Sequence, residues 1–473
     1  MLFQTLGFFV FLAFVCPLYW ALPRLRLWVL ALANALFYLA AGWANLGLFL
    51  VASALTYALG RRVTGPGGKA WLALGIALNL ANLMYFKYAG FVASMLPFDA
   101  PWLRDVLLPI GISFYTFQHI SYMVDRRLRG LPSAPNYLHF WVYISFFGHS
   151  IAGPIMRGHE LFPQLAGVGA QRHDAGQLRH GLGLFALGMV KKVAIATPLA
   201  AVVDMYFASP GLLSTGEAWV AAVLFAFQIY YDFSAYSDMA VGIGLMFGLV
   251  LTQNFLTPYV AESPAAFWQR WHITLSHWIR DYVYIPLGGN RGSSARARLN
   301  LFLALVLSGL WHGANWTFLA WGAYHGSWLV IERTQAWGRL ARALPKFVAL
   351  PLTFVLVMFG WVLFRAESLA NAAHYFGRLL SWHPLDSPDA LYSWGELLPH
   401  RVIFFGSVGL SGCVLMAWPR AEAFVAWMIG KRRGPSESLG IELARFAFAL
   451  SSFTLSVFSL VNSKFNPFIY FRF

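Results

Sequence analysis

Charge is what this chain has least of. Only 11% of its 473 residues are Asp, Glu, Lys or Arg, against about 25% in a soluble domain. So few charges could not cover the surface of a water-soluble fold, and 59% of the residues are hydrophobic, with a mean hydropathy of +0.59. A soluble enzyme is thereby excluded and a polytopic membrane protein remains. Cysteine is scarce too: Cys16 and Cys413 both sit inside apolar runs, which excludes a disulfide framework and a cysteine zinc site. No metal-ligand spacing is evident, so no metal is expected. Acids are fewer than bases, 19 against 34. In a membrane protein that excess marks cytoplasmic loops. Nucleic-acid binding would need a basic soluble domain, and the sequence has none. No internal repeat is visible, which weakens a transporter built from matched halves. No Gly-x-Ser-x-Gly elbow is present, so a serine acyl-enzyme lacks support.

What is present is a succession of apolar runs. Spans are expected near 3–20, 27–41, 44–60, 70–86, 107–124, 138–156, 180–207, 217–231, 300–328, 347–364, 401–418 and 441–461. With some of these short or bent, the fold class is all-α: one integral-membrane domain over 1–473, with about eleven transmembrane helices plus interfacial or re-entrant helices. The N-terminus lacks a basic leader and a small-residue cleavage site, so 3–20 reads as a first span and not as a removed signal. Basic residues at Arg24 and Arg26, then Arg61, Arg62 and Lys69, place those loops in the cytoplasm and the N-terminus outside. Lys191-Lys192, inside an apolar run, reads as an interfacial break with snorkelling stems. Residues 230–238 form an unusually polar segment beside membrane runs, and Gly242–Leu251 is too short to cross alone. The block 254–298, rich in Trp and Arg, suits an amphipathic helix on the cytoplasmic surface, with lipid headgroups as neighbours.

From Asn300 to Trp328 there is no Lys, Arg, Asp or Glu, yet two histidines, His312 and His325, each precede a glycine. A helix starting near Asn300 carries His312 about 18 Å along its axis, near the middle of a hydrocarbon core roughly 30 Å thick. An ionisable side chain there is a functional candidate by default. The bland alternative is a core histidine bonded to a neighbouring helix.

Several motifs in one order carry a resemblance that runs nearly end to end. They are Pro109-Ile110-Gly111-Ile112-Ser113-Phe114-Tyr115, Ile151-Ala152-Gly153-Pro154, the segment Tyr231–Ala240, Phe267-Trp268-Gln269-Arg270-Trp271-His272, Leu287-Gly288-Gly289-Asn290-Arg291-Gly292, Gly309-Leu310-Trp311-His312-Gly313-Ala314-Asn315 and Phe468-Ile469-Tyr470-Phe471. In these the chain resembles the membrane-bound O-acyltransferase family, in its alginate O-acetylation branch. The departures are Ala235, where similar proteins often carry Gly, and Gly148 and Ser150 around His149. The resemblance implies a ring of helices around a tunnel joining the two faces of a bacterial inner membrane. It implies an acyltransferase whose two signature histidines are His312 and His272, with His312 catalytic. It further implies acetyl-coenzyme A as a donor substrate rather than a tightly bound cofactor. The acceptor would be an exported polysaccharide, alginate first, or a periplasmic or membrane-anchored partner protein.

The chemistry of the residues fits that expectation. Acetyl transfer to a hydroxyl needs a base, and a neutral imidazole within hydrogen-bond reach can take the proton. An apolar site disfavours the cation, which keeps the ring neutral near pH 7. Gly313 leaves room beside the ring, and Asn315, one helical turn on, can orient it. His272 is expected near the cytoplasmic mouth, positioning the donor or serving as a second polar group. His325 and His149 are candidates for the tunnel wall, or for packing. Asp232 and Asp238, with Tyr231, form either a structural network paired with the basic block or a grip on a substrate hydroxyl. Arg270, Arg280, Arg291, Arg296 and Arg298 are candidates for the donor's phosphates, or mark topology and lipid contact. The Gly288–Gly292 run lacks the Lys-Ser/Thr ending of a P-loop. Competing readings are D-alanyl transfer to teichoic acid, acetylation of another glycan such as cellulose, a transporter without covalent chemistry, and an anchor for a secretion complex.

Overall fold

The computed structural model describes residues 3–104, 106–384 and 400–415, together with 447, 451, 454 and 468. Every regular element among them is helical. Five helices are long and apolar enough to cross a membrane: Trp43–Arg62, Gly68–Ala93, Ala175–Ala208, Thr215–Met246 and Lys346–Arg365. The pair Leu6–Ala21 and Pro23–Leu39, bent by 110°, brings the number to as many as six. The chain is a multi-pass, all-α membrane protein. The span expected at 441–461 falls almost wholly outside the described residues.

The chain forms two compact units. One comprises Met1–Phe185 and Tyr236–Gln253, the other Ala186–Ala235 and Asn254–Phe473. In the first, α1 (Leu6–Ala21) and α2 (Arg26–Leu39) meet at Leu22-Pro23, where proline ends a helix that cannot continue through it. Arg26 does not lie in a solvated loop. It is buried and donates to the carbonyl oxygens of Tyr19, Val168 and Gln171, with its guanidinium 4.5 Å from the Trp20 ring centroid. The run expected to span at 138–156 is instead a short helix, Tyr137–Ser145, followed by a non-helical turn. Asn34 accepts the Phe147 N–H at 3.0 Å to hold that turn. Gly111 sits against it in the left-handed region, φ 74°, and a Cβ there would lie 2.6 Å from the Ser150 carbonyl oxygen.

The polar segment 230–238 is no break. It lies, with the first part of the short run after it, within one 32-residue helix, Thr215–Met246. Lys192 does not snorkel: it is buried within a π-helical stretch, Lys191–Ala196, of the helical run to Ala208. The wider turn frees a backbone carbonyl, and Thr197 donates its hydroxyl to the Lys192 oxygen at 2.9 Å. Lys192 Nζ lies 2.5 Å from Asp232 Oδ1, both side chains nearly inaccessible, with the Phe468 ring 4.6 Å away. Desolvation of the lysine drives it to a partner that neutralises it.

The stretch 300–328 is a helical hairpin. α3 (Ser294–His312) starts six residues earlier than expected, capped by Ser293, and α4 (Trp316–Glu332) returns after a break at Gly313. Glycine lets the two helices touch: a Cβ on Gly322 would lie 2.5 Å from the Leu305 carbonyl oxygen, and one on Gly309 would strike that of Phe318. α5 (Lys346–Arg365) packs alongside. Because α3 ends at His312, this histidine sits at the far end of its helix from Arg296 and Arg298, and not midway along it.

Candidate active site

The site is built where α3 stops. His312 is its last residue; Gly313 is extended, and the chain turns into α4. The ring is 6% exposed and lies among aromatic rings, with centroids 5.0 Å from Trp311, 5.0 Å from Trp321 and 5.4 Å from Phe364. The His272 ring lies 6.4 Å away.

His272 is expected either at the donor's entrance or as a second polar group, and its ring stands beside that of His312. The segment 254–284 is not an amphipathic helix on the surface. Most of its aromatic side chains are buried, and it forms the short helices Pro264–Trp268 and Ile273–Ile279 with a π-helical turn, Arg280–Tyr284. Ala265 N–H donates to Glu332 at the end of α4, and seven residues later His272 stands beside His312. The chain then returns to Arg333, which donates to the Tyr284 hydroxyl at 3.1 Å. The histidines therefore meet at the end of the hairpin opposite the basic residues Arg296, Arg298 and Arg333.

His272 is wholly buried and sits in the left-handed region, φ 43° and ψ 53°, which costs a non-glycine residue of order 1 kcal/mol or more. Asn254 holds it there. Its backbone oxygen accepts Ile273 N–H at 3.0 Å, and its Oδ1 lies 3.1 Å from His272 Nδ1, 3.1 Å from Thr274 N and 3.0 Å from Thr274 Oγ1. The Phe233 ring meets the imidazole edge-on at 4.7 Å. Asn254 follows the polar Thr252 and Gln253, and nothing in the sequence singles it out.

His325 lies one ring further away. It touches Trp268 and Trp321, and a Cβ on Gly360 would strike its Nε2. The Trp321 indole N–H is buried and meets no acceptor among the described residues. Asn315 cannot orient His312 as a helical neighbour, because the helix has ended. It caps α4 by accepting Thr317 N–H at 3.1 Å and donates to the Glu367 carbonyl at 2.9 Å. Asp232 is paired with Lys192 and not with an arginine of the basic block. Tyr231 donates to the Gly409 carbonyl at 2.5 Å, tying the helix to His400–Leu415. Asp238 and His149 belong to the first unit, where Asp238 is half-buried. There His149 Nδ1 is 3.4 Å from Gln118, whose amide also reaches the Met156 carbonyl.

The arginines do not form one cluster. Arg270 reaches the Leu256 carbonyl at 3.3 Å, two residues from His272. Arg280 lies against Asp281 at 2.7 Å, which raises its pKa and occupies part of its fork. Arg291, Arg296 and Arg298 lie on or just after the glycine loop, the first two exposed. That loop is shaped by Gly288, Gly289 and Gly292 at positive φ and fastened by Asn290 to Tyr284 at 2.6 Å and by Asn300 to the Gly289 carbonyl at 3.1 Å. Among the described residues no group of three His, Cys, Asp or Glu side chains could hold a metal ion.

Residues 112–366, which contain both histidines, match the model of the membrane-bound O-acyltransferase family. The chain is 38% identical to the Azotobacter vinelandii protein named "Probable alginate O-acetylase AlgI", over 98% of each chain. It is 42% identical to the Pseudomonas aeruginosa protein of the same name, over 79% of this chain and 74% of that one. To the "Peptidoglycan O-acetyltransferase" of Helicobacter pylori it is 35% identical, over 87% of this chain and 85% of that one. The chain belongs to the membrane-bound O-acyltransferase family and is an O-acyltransferase.

Proposed function

We propose that this enzyme moves an acetyl group from cytoplasmic acetyl-coenzyme A to a hydroxyl on the outer side of the bacterial inner membrane, with His312 as general base. The observation that carries the reading is the pairing of His312 with His272 in a buried aromatic site. Rings 6.4 Å apart are close enough for one hydroxyl oxygen to lie about 2.8 Å from a nitrogen of each. His312 takes the proton of that hydroxyl as its oxygen attacks the thioester carbonyl carbon. The carbon–sulfur bond breaks, and the imidazolium returns the proton to the departing thiolate. His272 serves as the second polar contact to the reacting oxygen. The Trp321 N–H, buried beside the His312 ring, is the proposed donor to the thioester carbonyl oxygen, where negative charge grows.

His312 lies at the end of α3 away from Arg296 and Arg298, so an acceptor from the opposite face has the shorter path to it. The thioester must then reach inward from the basic face through the proposed tunnel, with Arg291, Arg296 and Arg298 near its phosphates. The relatives named for acetylating alginate and peptidoglycan support a polysaccharide, alginate first, as the final acceptor, reached directly or through a partner protein that carries the acetyl group.

Proteoliposomes loaded with radiolabelled acetyl-coenzyme A test this. The expected result is release of coenzyme A inside and label on polysaccharide or partner protein outside. Thioester-independent movement of intact acetate, or label transfer only from a D-alanyl carrier protein, would overturn it.

A further inference from the structure

The backbone amide of Thr274 can only donate, so the Asn254 atom it meets is the side-chain oxygen. An amide oxygen cannot donate in turn. The His272 nitrogen facing it, Nδ1, therefore carries the hydrogen, and in the neutral ring Nε2 carries the lone pair. The same residue also fixes the backbone, accepting Ile273 N–H and pinning a left-handed conformation that His272 would not adopt unaided.

We infer that Asn254 is a positioning residue of the acyl-transfer site, which selects the Nδ1–H tautomer of His272 and so makes Nε2 its proton-accepting nitrogen next to His312. This rests on the reading of His272 as part of the reaction centre. The other rings described around His272 are Phe233, Phe255 and Trp311, which do not titrate near neutral pH. Among the described rings around His272, His312 is the one that titrates near neutral pH, so a pH profile reads the two together.

The test compares Asn254→Ala, Asn254→Asp and Thr274→Val with His272→Ala in the full-length protein, by steady-state coenzyme A release across pH. Asn254→Ala loses tenfold or more in kcat with KM for acetyl-coenzyme A little changed. Asn254→Asp keeps an acceptor at Nδ1–H and recovers most of kcat. Its carboxylate stabilises the imidazolium, so the acid limb of the profile moves to higher pH. Thr274→Val removes one other donor to the same oxygen and leaves kcat near native, whatever it does to stability. Native kcat in Asn254→Ala, or an Asn254→Asp enzyme with an unmoved acid limb, overturns the inference. If Asn254→Ala fails to fold, the Asn254→Asp profile decides alone. Native turnover in His272→Ala would instead show that the reading of the reaction centre is wrong, a separate outcome from failure at Asn254.

Discussion

Two buried histidines, one in each unit, are held in nearly the same way and sit in different surroundings. In the first unit His119 Nδ1 lies 2.8 Å from Asn79 Oδ1. The Asn79 amide nitrogen donates to the Gly75 carbonyl and to Thr56, which fixes its oxygen towards the ring. In the second unit Asn254 does the same for His272. Both rings are fully buried and both carry the hydrogen on Nδ1. His119, however, lies within the regular helix Ile112–Leu128, among the rings of Tyr115, Phe140 and Phe49. His272 has a strained backbone and a second imidazole beside it. Burial and an asparagine partner mark a satisfied histidine. Strain together with a second titratable ring is what the proposed reaction centre has and His119 lacks.

Substitutions can break that contrast. His312→Ala, with folding intact, should lower coenzyme A release by about 10²–10⁴-fold. A smaller loss would place the base elsewhere. His119→Leu should leave turnover at the native level while lowering stability by about 1–3 kcal/mol, because Asn79 loses a buried partner; thermal unfolding and turnover of one preparation check both. Lys192→Ala takes the ammonium away from the buried Asp232 carboxylate and should cost about 3–5 kcal/mol, with much of it recovered in the double variant Lys192→Met/Asp232→Leu. No recovery would mean that the pair does more than hold the π-helical turn. Gly322→Ala should cost about 1–3 kcal/mol by parting α3 from α4. Its loss of turnover should track the misplacement of His312, so native turnover with lowered stability would show that the hairpin tolerates the shift.

Much of this was legible in the sequence. The all-α membrane class followed from charge poverty and long apolar runs, and the candidacy of His312 from an ionisable residue in an uncharged run. What misled was reading polarity as position. Lys191-Lys192 and the 230–238 segment were polar enough to suggest breaks, yet Lys192 and Asp232 neutralise each other across two helices, which no window along the chain can reveal. The Trp- and Arg-rich block 254–298 looked interfacial, but its aromatic side chains face inward and carry His272 to His312. Asn315 stood at helical spacing from His312, and only the break at Gly313 removes it from that face. Asn254 was passed over because its importance lies in three donors converging on one oxygen, a property of tertiary structure alone.

The central claim is that His272 and His312 act as one centre. Single-turnover coenzyme A release from acetyl-coenzyme A, measured for His272→Ala, His312→Ala and the double variant, tests it most directly, because residues that act together lose activity non-additively. The double variant should be no slower than His312→Ala alone. A double variant slowed by the product of the two single losses would mean that the histidines work independently and would contradict a shared centre.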